Sequence, residues 1–331
     1  MSNCSVCLKP VNGEVKNPGF HDACLRRLVG TAVLPALDKL SYRQLVRDGK
    51  KRLQSGQRFS ISGVQVKLIG KVKKGKPGHS SELLVAQSGG NLILKPDAKP
   101  EEYPGLPANE HLSMLIAKAM GLEVPACGLL PLDGGSYLYV IRRFDRKDNG
   151  EAVHQEDLMQ ALGIANKHDA KYGAASYESA GRAVMDACGR GQVAAEYMKR
   201  LIAMFAIGNG DYHLKNMSLL MPIDKPMSQT PIYDVVNTQV YDDPNRMALS
   251  LMDDDDELIA FNVNGFETRQ DFIQLSKKFG VAERAIATFI DKKIVGQREK
   301  FTQLVEASFL PTELKQIYQT ILDQHIKLLS Q

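Results

Sequence analysis

The feature that most limits what this chain can fold into is a change of hydrophobic period partway along it. From residue 59 to 144 the apolar residues come in short runs broken by Gly, Asn and Asp, the pattern of strands. Beyond Gly150 they recur mostly at helical spacing. An alternating run over 59–72 reads as strand, followed by a Gly/Lys loop at 73–81. Residues 82–95 read as a hairpin turning at Ser88-Gly89-Gly90-Asn91. A second hairpin, 126–132 with 137–144, turns at Asp133-Gly134-Gly135. Between them, Leu112, Leu115, Ile116, Ala119 and Met120 form one stripe over 108–120 with Gly121 past its end, an amphipathic helix with a stop. Residues 25–58 read as short helices ending in a basic stretch. After a polar hinge at 145–150, helices are expected at 155–162, 177–186, 194–207 and most of 268–329, with short apolar strands at 218–221 and 232–236. This is an α/β (α+β) pattern: a β-rich first lobe and a mostly helical second lobe around a cleft suited to a small ligand.

Composition excludes several classes. With 44% hydrophobic and 24% charged residues, the 331-residue chain is not disordered throughout. Lys+Arg 42 against Asp+Glu 38 gives +4, too balanced to imply nucleic-acid binding by charge alone. No apolar run approaches the roughly 18 residues of a membrane helix. The N-terminus lacks the basic start and apolar stretch of a signal peptide, so a cytoplasmic location is expected. Five cysteines, an odd number unevenly placed, argue against a disulfide framework. Cys127 and Cys188 read as buried thiols. Cys4-x2-Cys7 and His21-x2-Cys24 are two ligand pairs joined by a 13-residue loop, as a tetrahedral structural zinc site requires. The competing reading is a mobile N-terminus with chance thiols.

The chemistry concentrates in Ile207-Gly-Asn-Gly-Asp-Tyr-His-Leu-Lys-Asn216. Four residues separate Asp211 from Asn216, the spacing of the Asp and Asn in a kinase catalytic loop. One carboxylate meets the attacking hydroxyl, and an amide oxygen a few residues on holds magnesium. Downstream, Ile232-Tyr-Asp-Val-Val236 places the single carboxylate of Asp234 in an apolar run. Burying it there is costly unless it is paired or binds metal. Leu92-Ile-Leu-Lys95 ends a strand in lysine, as a kinase β3 strand does, and Glu110 is placed to pair with it. Ser60 to Lys67 is the candidate phosphate cradle, with one glycine, Gly63.

Together these segments resemble the HipA family of bacterial serine/threonine kinase toxins. Phe59-Ser-Ile-Ser-Gly-Val-Gln-Val-Lys67 is similar to its phosphate-binding loop. Asn91 to Lys95, Asn109-Glu-His111, Arg143-Phe-Asp-Arg146, His154-Gln-Glu-Asp157, Gly210 to Asn216 and Tyr233-Asp-Val-Val236 follow in family order. The short N-terminal part resembles the HipT-like branch, in which the N-terminal subdomain of longer members is a separate small protein. The resemblance, from about Phe59 onward, implies a two-lobed protein-kinase-like fold, with a nucleotide-binding lobe at 31–145 and a helical lobe at 146–331; the Cys/His segment expected at 1–30 is not a defining feature of the family. It implies ATP and Mg2+ as cofactors and Asp211 as catalytic base, with Asn216 and Asp234 on the metal. Lys95 would contact the phosphates; Ser62, Gly63, Val64, Gln65, Val66 and Lys67 would wrap the nucleotide. Arg142, Arg143 and Phe144 would lie near the adenine; His213, Leu214, Lys215, Asn216, Tyr233 and Asp234 would also bind ATP, with His213 and Lys215 within the catalytic loop near the phosphates. Ser60 and Ser62 match autophosphorylation positions. The implied substrate is an aminoacyl-tRNA synthetase, whose loss arrests growth. The implied partners are a HipB-like antitoxin, through which DNA is reached indirectly, and a small HipS-like protein, with no membrane. Departures are Arg142 for an acidic hinge residue, Val66 for a polar or proline residue, and no counterpart of the basic DNA-contacting segment.

Two rival readings use the same residues differently. An aminoglycoside- or choline-type small-molecule kinase would share Asp-x4-Asn and the metal Asp, but the paired loop serines favour a protein kinase. Residues 274–287, helix, Gly280, helix, have the outline of a helix-turn-helix in a DNA-binding regulator, but show only Glu283, Arg284 and Thr288 as polar readers. The acidic run Asp253–Glu257 reads as a solvated face.

Overall fold

The computed structural model describes residues 3–12, 17–37, 43, 47, 66–73, 75, 81–86, 88–97, 99–147, 150–165, 170–254 and 259–331. The chain divides into two compact units. One comprises Met1–Leu115, Pro125–Ala152 and Leu304–Thr312; the other comprises Ile116–Val124, Val153–Gln303 and Glu313–Gln331. No helix among the described residues is long and apolar enough to cross a membrane.

The first unit is built on a sheet. Its elements are α1 (Asp22–Val29), β1 (Ala36–Leu37), β2 (Leu68–Lys73), β3 (Glu82–Ala86), β4 (Leu92–Pro96), α2 (Leu106–Ala119, which continues into the second unit), β5 (Cys127–Pro131) and β6 (Tyr137–Arg142). Helix α1 opens with Asp22 and closes with Arg26, Arg27 and a left-handed Gly30, charges that suit its dipole and a residue that suits its stop. It lays Leu25, Leu28 and Val29 on sheet residues Leu68, Leu83, Leu92, Leu94, Leu138 and Val140, and this is the unit's core.

The sheet order is β1-β3-β2-β4-β6-β5. The second hairpin, β5 with β6, forms around Asp133-Gly134-Gly135. The first does not: β3 and β4 each pair with β2, which lies between them. The chain passes over β2, and two glycines make the crossing feasible. A Cβ on Gly90 would lie 2.3 Å from the Gly70 carbonyl oxygen, and one on Gly70 would press on Leu94 at 2.9 Å. Helix α2 also differs from its sequence pattern. Asn109, Glu110, His111 and Ser113 are buried together with Leu112 and Met114, so its first turns are enclosed rather than two-faced.

The second unit holds β7 (His154–Asp157), α3 (Leu158–Ala161), α4 (Ala170–Gly173), α5 (Tyr177–Cys188), α6 (Gln192–Ile207), β8 (Ser218–Met221) and β9 (Ser228–Gln229). After these come α7 (Ile259–Asn264), α8 (Arg269–Lys278), α9 (Glu283–Phe289), α10 (Arg298–Ala307, which ends in the first unit) and α11 (Thr312–Ser330). Residues 155–157, expected as the start of a helix, instead lie in β7, paired with β8; Asp157 then caps α3 in a reciprocal box with Gln160. Residues 232–236, expected as strand, join no sheet. Asp234 sits at φ 56°, and the Ile232 amide donates to the Glu123 carbonyl. Helix α6 is the core: Leu201 to Ile207 are fully buried.

Within the helix-turn-helix outline at 274–287, Leu275, Phe279 and Ile286 are buried, and Phe279 meets Tyr197 edge-on at 5.9 Å. In the acidic run, Asp253 accepts from Ser176, the N-cap of α5, at 2.5 Å and from Arg182 midway along that helix, so it is engaged rather than merely solvated.

Candidate active site

The loop after α6 is shaped by two glycines. Gly208 stops the helix at φ 81°, and a Cβ there would lie 2.9 Å from Asn237 Oδ1 and Ile321 Cγ2. At Gly210 a Cβ would meet the Asn245 carbonyl oxygen at 2.3 Å. The loop therefore lies directly on segment 237–245. The Thr238 amide donates to Gly208 O (3.0 Å) and the Gly210 amide to Thr238 Oγ1 (3.0 Å).

This support fixes Asp211. Its amide donates to Asn209 Oδ1 at 3.1 Å, and its carbonyl accepts from the His213 amide and from Asn216 Nδ2 at 2.8 Å. That bond uses Nδ2, so the Asn216 amide oxygen remains an acceptor. Tyr172 Oη donates to Asp211 Oδ1 at 2.6 Å, and His213 Nε2 lies 3.7 Å from the same oxygen. Lys171 Nζ lies 3.0 Å from His213 Nε2, within hydrogen-bonding distance.

Asp234 follows Tyr233, whose hydroxyl bridges Ser218 Oγ and the Lys215 carbonyl (3.0 Å). Burial pushes the Tyr233 hydroxyl far above its ordinary pKa and the Tyr212 hydroxyl up to about 12, so both remain neutral donors. Asp211, Asn216 and Asp234 are all buried. Two oxygen donors, an amide and a carboxylate on a left-handed turn, are the hard ligand set that magnesium takes, so the residues present fit that ion.

In the first unit, Lys95 Nζ lies 2.5 Å from Glu110 Oε1, with side-chain exposures of 4% and 0%, and 5.5 Å above the Tyr139 ring. Nearby in sequence, Arg143 makes a bidentate pair with Asp145 (2.9 and 2.6 Å), and Arg146 adds a third bond. Burial pushes the Asp145 carboxyl up, but these bonds and charges outweigh it and hold it below the usual range. The Arg142 amide donates to Ala126 O at 2.8 Å and the Arg143 amide to Asn91 O at 2.9 Å. Val66 is buried in the core and Lys67 is exposed. Ser60, Ser62, Gly63, Val64 and Gln65 lie outside the described residues.

The N-terminal cysteines also converge. The ligand atoms of Cys4, Cys7, His21 and Cys24 all lie within 4.8 Å of one another. Cys4, accepting a hydrogen bond from Cys7, is held low, at about 4, and Cys7, the donor, is pushed up.

Sequence reasoning missed Lys171 and Tyr172. They sit on a four-residue helix 39 to 42 positions from their partners and carry no motif; only an aromatic beside a lysine near a helix end could have pointed to them.

Residues 59–300 match the family model described as the HipA-like C-terminal domain. An inferred kinase of Haemophilus influenzae is 30% identical over 94% of this chain and 92% of its own length. The serine/threonine-protein kinase toxin HipA of Shewanella oneidensis is 31% identical over 63% of this chain, which spans about half of that toxin. Among solved structures, Shewanella oneidensis HipA in complex with HipB and operator DNA superposes with a TM-score of 0.63 at 21% identity, covering 86% of this chain and 71% of that one. The fold is therefore the kinase-like fold of HipA, and with a family model spanning most of its length the chain belongs to the HipA-like family.

Proposed function

We propose that this protein is a HipT-like toxin kinase that transfers the γ-phosphoryl group of ATP to a serine of another protein and to Ser60 or Ser62 of its own loop. The observation that carries the reading is Asp211: a buried carboxylate held by Tyr172, on a loop whose Asn216 is tied to the Asp211 carbonyl. In this reading Asp211 takes the hydroxyl proton of the acceptor serine, and fixing its orientation beforehand removes part of the entropy barrier. Asn216 and Asp234 would hold Mg2+, which when bound neutralises phosphate charge. Lys95, kept in place by Glu110, supplies the cation for the nucleotide phosphates, and His213, Leu214, Lys215 and Tyr233 brace the loop. Ser62, Gly63, Val64, Gln65, Val66 and Lys67 wrap the nucleotide, with Arg142, Arg143 and Phe144 at its adenine end. Phosphate on Ser60 or Ser62 would place negative charge where ATP sits, a self-inhibiting switch.

The toxin role is supported by the similarity to Shewanella oneidensis HipA, and a HipB-like antitoxin partner by the complex in which that protein was solved. A HipS-like partner, an aminoacyl-tRNA synthetase substrate and a cytoplasmic site of action extend the same reading. The test is intact mass and phosphosite mapping of phosphatase-treated protein after incubation with MgATP, with Asp211→Ala and Asp234→Ala alongside. Phosphate should appear on Ser60 or Ser62 in the parent only. A parent that stays bare, or variants that label equally, would overturn the reading.

A further inference from the structure

The N-terminal Cys/His cluster lies outside the phosphotransfer chemistry, yet it touches the element that positions it. A tetrahedral zinc with ordinary Zn–S and Zn–N bonds separates its ligand atoms by about 3.6–3.8 Å. Here Cys7 Sγ and Cys24 Sγ lie 3.5 and 3.9 Å from His21 Nδ1. The second nitrogen is already assigned: His21 Nε2 is 3.1 Å from the Pro10 carbonyl, which turns Nδ1 toward the sulfurs, as outer hydrogen bonds do for metal-binding histidines. The backbone is set as well. Leu8, at φ 60°, closes a tight turn in which its amide donates to Cys4 O at 2.8 Å, and Cys24 sits on the first turn of α1.

The two residues between Cys4 and Cys7 reach into the first unit. The Ser5 carbonyl accepts from the Leu129 amide of β5 at 2.8 Å, and the Val6 carbonyl is 3.1 Å from His111 Nε2 on α2. Contact with β5 is close enough that a Cβ on Gly128 would meet Val6 at 2.9 Å and Ser5 O at 3.0 Å. His111 follows Glu110, the partner of Lys95, on the same buried turn. A segment this short, with few apolar residues of its own, needs a metal or other cross-link to hold a shape.

We propose that Cys4, Cys7, His21 and Cys24 bind one Zn2+, and that the metal-held turn clamps helix α2 through Val6 and His111, keeping Glu110 on Lys95. The zinc is structural, all four positions being protein ligands. Its regulatory meaning, that metal occupancy sets the competence of the Lys95 site, rests on the kinase reading above; the clamp itself does not.

The test uses the full chain carrying Asp211→Ala, so that neither readout needs turnover. Elemental analysis should find about one zinc per chain, falling below about a tenth in Cys7→Ser/His21→Ala, and Co2+ exchanged into the site should show thiolate charge-transfer and tetrahedral d–d bands. Hydrogen exchange is then compared before and after zinc is stripped by chelator under reducing conditions. Amides of 106–119 should exchange about tenfold faster without metal, while those of 192–207 stay unchanged, and Zn2+ but not Mg2+ should restore protection. Absence of zinc and of the cobalt bands overturns the site. Bound zinc with unchanged exchange at 106–119, or a rise spread over the whole chain, overturns the clamp. Failure of the kinase reading leaves both measurements standing.

Discussion

The Lys95–Glu110 pair allows stability and activity to be separated. At 4% and 0% side-chain exposure both charges are out of water, and Lys95 Nζ pairs with Glu110 Oε1 at 2.5 Å. Removing one partner strands the other's charge, at about 3–5 kcal/mol, whereas replacing both with apolar side chains of similar volume is close to neutral or stabilising by about 1–4 kcal/mol. Glu110→Gln and Lys95→Met should therefore each destabilise strongly, while Lys95→Met/Glu110→Leu should recover most of the loss. With no tryptophan in the chain, urea unfolding is best followed by far-UV circular dichroism. At a slope of about 1–3 kcal/mol per M the single variants should lower the midpoint by roughly 2 M. Phosphotransfer should be lost in all three, because the double variant restores packing and not the cation. The reasoning fails if Glu110→Gln stays within about 0.5 kcal/mol of the parent, which would mean the pair is not desolvated. It fails equally if the double variant is no more stable than the singles, or if it retains activity.

Gly210→Ala should lower stability by about 1–3 kcal/mol and cut phosphotransfer by about a hundredfold, because its Cβ would meet Asn245 O at 2.3 Å and displace Asp211. Gly173→Ala, with nothing within 4 Å, should be neutral or slightly stabilising in the same urea titrations. Tyr172→Phe removes the bond to Asp211 Oδ1 and should lower kcat about tenfold with little change in the KM for ATP. The buried His325 ring, stacked on Phe205, is held neutral by burial, its pKa pushed down from 6.5 to about 4. The unfolded chain takes up that proton first, so stability falls as pH drops below 6.5 and levels off below about 4, by about 3 kcal/mol in all. His325→Gln should flatten that part of the stability–pH profile, as measured by urea midpoints at each pH.

Much of the site was legible because its chemistry is local in sequence. Asp211 and Asn216 share one loop, so their spacing alone brings the Asn216 amide onto the Asp211 carbonyl. Cys4-x2-Cys7 and His21-x2-Cys24 each place two ligands on one turn, and closing the loop between them gathers all four. The β5–β6 hairpin follows from its turn residues in the same way.

What remained hidden depends on which segments meet, which no local pattern encodes. The period of residues 82–96 is that of two strands whether they pair with each other or on either side of β2; the choice was made by Gly70 and Gly90, which leave room for the crossing. Residues 155–157 joined a strand because β8 offered a partner, overriding a helical reading of those residues. An apolar run around Asp234 reads as a strand until a left-handed φ and the Glu123 carbonyl take it out of any ladder. Lys171 and Tyr172 reach His213 and Asp211 across some forty residues, and His111 reaches Val6 across more than a hundred. The sequence by itself determined which candidate residues come together within one turn, as Asn216 does with Asp211 and Cys4 with Cys7, since spacing within a turn is a property of the backbone. Tertiary packing alone decided which side chains hold those residues in place, since that depends on long-range burial and on where the backbone leaves space.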